Sequence, residues 1–154
     1  MPLRILVLDD HPFVHEIMRA VLARAFDGPE VLCAADLPEA IERARAAKLL
    51  DLAVLDLGLP GCSGIEALTR FRKAFPGVPA VVFSANEDAD VIRAARDAGA
   101  RGYLLKTAKP AVLQAALALV AAGETFFPSE ALAQRHRPKG KPGSLRARGR
   151  RLAS

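Results

Sequence analysis

The chain has only two cysteines, Cys33 and Cys62, in 154 residues. They make neither a metal-binding motif nor a disulfide framework, and they read as reduced, half-buried thiols. Cys62 lies in an expected loop six residues past Asp56, where its oxidation would touch a candidate site. Long apolar runs are missing too: none approaches the roughly 20 residues of a membrane-spanning helix. The opening Met1-Pro2-Leu3-Arg4-Ile5 runs into a strand pattern without the small-residue cleavage site of a signal peptide. These absences set the expectation of a cytoplasmic protein with no membrane partner. One further absence is local. Residues 135–154 contain no acid and eight of the 22 Lys and Arg, which leaves 14 basic against 17 acidic residues, a net of −3, for residues 1–134. The formal charge of +5 therefore describes neither part, and the body and the basic tail need separate explanations.

What is present is an alternation. Short apolar runs are expected as strands at about 3–9, 30–34, 51–56, 78–84 and 101–105. Segments of helical period stand between and after them, at about 12–26, 37–48, 64–75, 88–98 and 109–122. Pro12 suits a first helical turn, and Gly99 and Gly123 stand where helices commonly stop. Phe13, Ile17, Met18, Val21 and Leu22 are expected on one packed face of the first helix. Val112, Leu113, Ala116, Leu117 and Val120 are expected to pack the last. Five β-α units in sequence predict an α/β fold, a doubly wound five-stranded parallel sheet with helices on both faces. In such sheets ligands bind beyond the carboxyl ends of the strands.

Reactive side chains end those apolar runs. Asp9 and Asp10 follow Ile5-Leu6-Val7-Leu8, Asp56 follows Leu52-Ala53-Val54-Leu55, Ser84 follows Ala80-Val81-Val82-Phe83, and Lys106 follows Tyr103-Leu104-Leu105. Three carboxylates brought together repel one another unless a pKa rises or a cation binds. Oxygen ligands select a hard ion, Mg²⁺ first. Asp10 and Asp56 are expected to ligate it directly, with Asp9 acting mainly through water. A carboxylate such as Asp56 can attack a phosphoryl group and form an acyl phosphate. Lys106 would offset charge on the phosphoryl oxygens, and Ser84 would donate a hydrogen bond to the modified Asp56. Tyr103 fits either core filling or a rotamer switch that turns inward as Ser84 moves. His11 and His15, four apart, lack a further nitrogen or sulfur ligand and are expected as ordinary helical or partner-facing residues.

These residues together resemble the receiver domain of bacterial two-component response regulators. The stretches Val7-Leu8-Asp9-Asp10-His11-Pro12, Val54-Leu55-Asp56-Leu57-Gly58-Leu59-Pro60-Gly61, Val82-Phe83-Ser84-Ala85 and Gly102-Tyr103-Leu104-Leu105-Lys106 carry the resemblance, over about residues 3–122. The Asp-Asp-His-Pro opening and Ala121-Ala122-Gly123-Glu124 are most similar to the NarL/FixJ (LuxR-type) branch. The resemblance implies a flavodoxin-like (βα)5 fold with strand order 2-1-3-4-5 and a phosphorelay role. Asp56 would accept a phosphoryl group from a histidine kinase or phosphotransfer protein. Asp9, Asp10, Asp56 and the Gly58 carbonyl would hold Mg²⁺. Ser84, Tyr103 and Lys106 would bind and report the phosphoryl group, and phosphorylation would favour a homodimer. Thr107 stands where many receivers have a cis proline, so a trans peptide is expected after Lys106.

Residues 1–125 are thus expected to form the receiver, and 126–154 a basic tail or truncated linker without a core. The NarL/FixJ branch normally continues into a helix-turn-helix output domain. The tail reads as the stub of such a domain, as an arm for nucleic acid or acidic partners, or as functionless chain. Sequence-specific DNA recognition is not expected from it, for want of a recognition helix. Two other functions compete with a signalling module that is not an enzyme. One is a Mg²⁺-dependent phosphohydrolase using Asp56. Against it, Gly58 stands two residues on, where such enzymes commonly place a carboxylate for proton transfer. The other is a phosphorylation-independent adaptor.

Overall fold

The structure, a computed structural model, describes residues 2–129; the expectations for 130–154 lie outside the described residues. Strands and helices alternate as β1 (Arg4–Leu8), α1 (Pro12–Ala25), β2 (Glu30–Ala34), α2 (Leu37–Ala47), β3 (Leu52–Leu55), α3 (Glu66–Ala74), β4 (Ala80–Ser84), α4 (Ala89–Asp97), β5 (Gly102–Leu105) and α5 (Pro110–Ala121). The strands pair in parallel in the order β2-β1-β3-β4-β5, as expected. Register matches Leu8 with Leu55 across β1 and β3, and Leu55 with Val82 across β3 and β4.

Both faces of the sheet are covered because the strands are apolar apart from Arg4, Glu30 and Ser84 at their ends. Alternate residues feed two cores. Leu6, Leu8, Ala53, Leu55, Val82 and Tyr103 pack with α2, α3 and α4 residues such as Ala40, Leu68, Phe71 and Ile92. Ile5, Val7, Leu52, Val54, Val81 and Leu104 pack with Met18 and Leu22 of α1 and with Leu113 and Leu117 of α5. Each fully buried aliphatic or aromatic side chain contributes roughly 1.5–3 kcal/mol.

Local capping fixes the helix starts. Asp36 accepts the Glu39 amide at 2.8 Å, and Glu39 reaches back to the Ala35 amide at 2.8 Å. Asp88 accepts the Asp90 amide at 2.8 Å at the head of α4. His11 is the N-cap of α1 but makes no side-chain cap bond.

Three expectations are corrected. Phe13 is 74% exposed and Ile17 also faces solvent, while Met18, Val21 and Leu22 are buried. Phe13 and Ile17 lie one turn apart on a line beside the stripe that meets the sheet, so their periodicity was real but off centre. Val112 is exposed for the same reason, while Leu113, Ala116, Leu117 and Val120 pack as expected. The packed body also runs past residue 125. Phe126 pairs with Gly102 as an isolated parallel bridge, Phe126 packs on the α1–α5 core, and Phe127 packs on the other. Two aromatic rings supply enough apolar area to hold this segment against the sheet edge. Among the described residues no helix is long and apolar enough to cross a membrane.

Candidate functional site

Backbone hydrogen bonds carry the ladder one residue beyond the strands, and this sets the site. The Asp9 amide donates to the Ala34 carbonyl at 3.1 Å, the Asp56 amide to Leu8 at 2.9 Å, and the Lys106 amide to Ser84 at 2.9 Å. Asp9, Asp56, Ser84 and Lys106 are thereby held at one level along the carboxyl edge of the sheet. Asp9 and Asp56 are buried, at 1% and 4% exposure, and so is Ser84.

Lys106 binds the carboxylates together. Its Nζ donates to Asp9 Oδ2 at 2.8 Å and lies 3.5 Å from Asp56 Oδ1. The ammonium also sits 5.7 Å from the centroid of the Phe83 ring, which favours a cation there. The other Asp9 oxygen is taken as well: Oδ1 accepts the His11 amide at 2.9 Å and lies 2.8 Å from His11 Nδ1. Asp9 is therefore fully engaged by protein groups. Asp10 differs. Its Oδ1 is buried and accepts no hydrogen bond, although His11 Nδ1 lies 3.1 Å away.

Asp9, Asp10, His11 and Asp56 each bring a ligand atom within 4.8 Å of the others. The donor set is mainly carboxylate oxygen, and a buried Asp10 oxygen that accepts no hydrogen bond is what a hard cation would satisfy. The residues present fit Mg²⁺. The Gly58 amide donates to Asp56 Oδ1 at 3.1 Å and fixes the rotamer of that carboxylate.

Ser84 and Tyr103 meet through Asn86. Ser84 Oγ accepts the Asn86 amide at 3.1 Å, and the Tyr103 hydroxyl donates to the Asn86 carbonyl at 2.7 Å. The Tyr103 ring is fully buried, turned inward. Burial raises the Tyr103 pKa above its ordinary value, and the nearby Ser84 hydroxyl partly opposes that rise. The peptide after Lys106 is trans, as expected at Thr107, since the described residues contain no cis bond.

Sequence reasoning misjudged one contributor. His11 is not an ordinary helical residue: its Nδ1 reaches Asp9 and Asp10 at the rim of the acidic pocket while the rest of the ring stays largely exposed. The Asp9 hydrogen bond, followed by the charge of Asp10, raises its pKa. The signal was its place between two aspartates and Pro12, a position just outside the helix. Asn86 contributes through its backbone amide and carbonyl. Cys62 lines a cleft of about 360 Å³ with Asp10, Leu59 and Pro60, beside the acidic pocket.

Comparison with known proteins gives one consistent result. The family model described as "Response regulator receiver domain" matches residues 5–118. The nitrate/nitrite response regulator protein NarL of Escherichia coli K12 is 39% identical over 132 residues, which cover 85% of this chain and 60% of NarL. The glycerol metabolism activator of Pseudomonas putida is 33% identical over 127 residues, covering 82% of this chain and 58% of that protein. The chain thus spans about three-fifths of the length of these relatives. A LuxR-family two-component response regulator from Aurantimonas sp. SI85-9A1 superposes with a TM-score of 0.77 at 32% identity, covering 86% of this chain and 94% of that one. A CheY-like receiver domain protein from Methanospirillum hungatei JF-1, with a TM-score of 0.69 at 24% identity, shares the fold.

Proposed function

The chain belongs to the response regulator receiver domain family, and from that premise we propose that it is a phosphorylatable switch whose Asp56 takes a phosphoryl group from a histidine kinase. The observation that carries this reading is the buried Asp56 carboxylate, 3.5 Å from the Lys106 ammonium and beside an Asp10 oxygen that accepts no hydrogen bond. Asp10, Asp56 and the Gly58 carbonyl would hold Mg²⁺, with Asp9 supporting through Lys106 and water. When bound, the ion would offset the negative charge that gathers between carboxylates and phosphoryl oxygens.

The residues of the chain divide the work. An Asp56 oxygen attacks phosphorus, a P–O bond forms, and the N–P bond of the phosphohistidine breaks. The imidazole leaves with that electron pair and takes a proton from water. The Gly58 amide orients the Asp56 carboxylate during attack. Lys106 stands ready to pair with a phosphoryl oxygen, at the expense of its contact with Asp56. Ser84 then turns its hydroxyl from the Asn86 amide toward the phosphoryl group. Tyr103 keeps its ring inward, held at the Asn86 carbonyl. A population shift of this kind alters the surface of α4, β5 and α5 for a partner, a second copy included.

The phosphohydrolase reading has less support. Gly58 offers only backbone where a proton-transfer carboxylate would stand. Incubation with Mg²⁺ and a small acyl phosphate, followed by intact mass, tests the proposal. One phosphoryl group is expected on the native chain and none on Asp56→Asn. Continuous turnover of phosphate esters would instead favour the hydrolase.

A further inference from the structure

Just past α5 the chain turns back and joins the edge of β5. The Phe126 amide donates to the Arg101 carbonyl at 3.1 Å, and the Tyr103 amide donates to the Phe126 carbonyl at 2.9 Å. The Arg101 guanidinium clamps the turn by donating to the Gly123 carbonyl at 2.9 Å. The approach is tight at Gly102, where a side chain would push its neighbours back by a few tenths of an ångström. A Cβ on Gly102 would lie 3.1 Å from the Phe126 carbonyl oxygen and 3.3 Å from Val120 Cγ2. Phe126 and Phe127, both half-buried, pack against opposite cores, so sliding of the segment along the strand would unpack one of them.

Tyr103 is therefore held from two directions. Its hydroxyl is fixed by Asn86, two residues past Ser84. Its backbone is fixed by Phe126, on the outer edge of β5. Ring burial and strap pairing occur together in one state, on the same residue. A coupling between the two would act both ways, because coupling between two sites is reciprocal.

We propose that Phe126 is a positioning residue for Tyr103, and that residues 124–128 form a strap whose grip on β5 strengthens when Asp56 carries a phosphoryl group. The inference rests on the phosphoacceptor reading. Its consequence is directional. The strap runs parallel to β5, toward the carboxyl edge of the sheet, and leads into the residues after 129. A change at Asp56 passes to the following chain through one backbone hydrogen bond and two aromatic rings.

The test uses the full chain with Mg²⁺ and beryllofluoride, a mimic of the phosphoryl group. Amide hydrogen exchange at Tyr103 and Phe126 is expected to slow by about fivefold on saturation, in the range of ordinary coupling energies. The Glu30 amide, on the opposite edge, is expected to keep its rate. Amide shifts at Asp56 and Ser84 report binding independently. Binding without any slowing at Tyr103 and Phe126 overturns the strap and leaves the phosphoacceptor reading standing. No binding at all overturns both. As a second arm, Phe126→Ala is expected to weaken apparent beryllofluoride affinity by about fivefold, with Phe126→Tyr close to native. If Phe126→Ala lowers the melting temperature but leaves that affinity unchanged, Phe126 only packs and the proposal fails.

Discussion

Two of the three carboxylates at the ends of β1 and β3 are almost out of water, and one lysine reaches both. That arrangement is electrostatically unfinished. Lys106 and a largely exposed His11 face Asp9, Asp10 and Asp56, so negative charge remains in excess. Removing one carboxylate relieves repulsion: without divalent ion, Asp56→Asn is expected to raise the melting temperature by about 4 °C, equivalent to about 1 kcal/mol. Lys106→Ala is expected to destabilise by roughly 1–3 kcal/mol, because the buried Asp9 Oδ2 loses its charged hydrogen-bond partner. Thermal unfolding with and without Mg²⁺ checks both, and Mg²⁺ is expected to stabilise the native chain more than Asp56→Asn. Cys33 offers a control away from the site. Burial raises its thiol pKa, so it is expected to react with iodoacetamide at pH 8 more slowly than a free cysteine. A rate equal to or above that of free cysteine would contradict the burial argument. At this scale, Asp9, Asp10, Asp56, Ser84 and Lys106 were legible because each ends an apolar run, and strand ends share one edge. The reach of His11 Nδ1 was not legible. It depends on the distance between two carboxylates, which only the folded register sets.

Helices and strands were legible where periodicity and caps agreed, as in α2, with its Asp36–Glu39 start. They were misjudged where periodicity alone was used. Phe13, Ile17 and Val112 repeat with the helix but face away from the sheet, because the neighbouring element decides which stripe is covered. One strained element end makes a prediction. Lys48, the C-cap of α2, has φ 66 and ψ −39, a backbone state that side-chain-bearing residues seldom adopt. Lys48→Gly is expected to stabilise by about 1 kcal/mol, read from chemical denaturation, since the relieved strain exceeds the added chain entropy. On β5, Tyr103 is the only tyrosine, so its titration can be followed by absorbance without interference from other phenols. Burial raises its folded pKa above the unfolded value of about 10. The protonated phenol therefore adds stability below pH of about 10, and that stability is lost as pH rises through the folded pKa. A midpoint at or below 10 would show that the ring is not held inward.

Across the whole molecule, the sheet order and the shared edge turn scattered residues into one site. Fold class followed from five alternations of strand and helix, and the described structure agrees with it. The return of Phe126 to β5 was not legible, because a single bridged residue carries no period. The central claim is that this site accepts a phosphoryl group on one carboxylate out of three. Borohydride reduction after acyl phosphate treatment tests it most directly, since it converts a phosphorylated aspartate to homoserine at the residue that carried the phosphate. Peptide mapping is predicted to find homoserine at position 56 and unmodified aspartate at positions 9 and 10. Homoserine at 9 or 10, or none at 56 in the presence of Mg²⁺, would contradict the account.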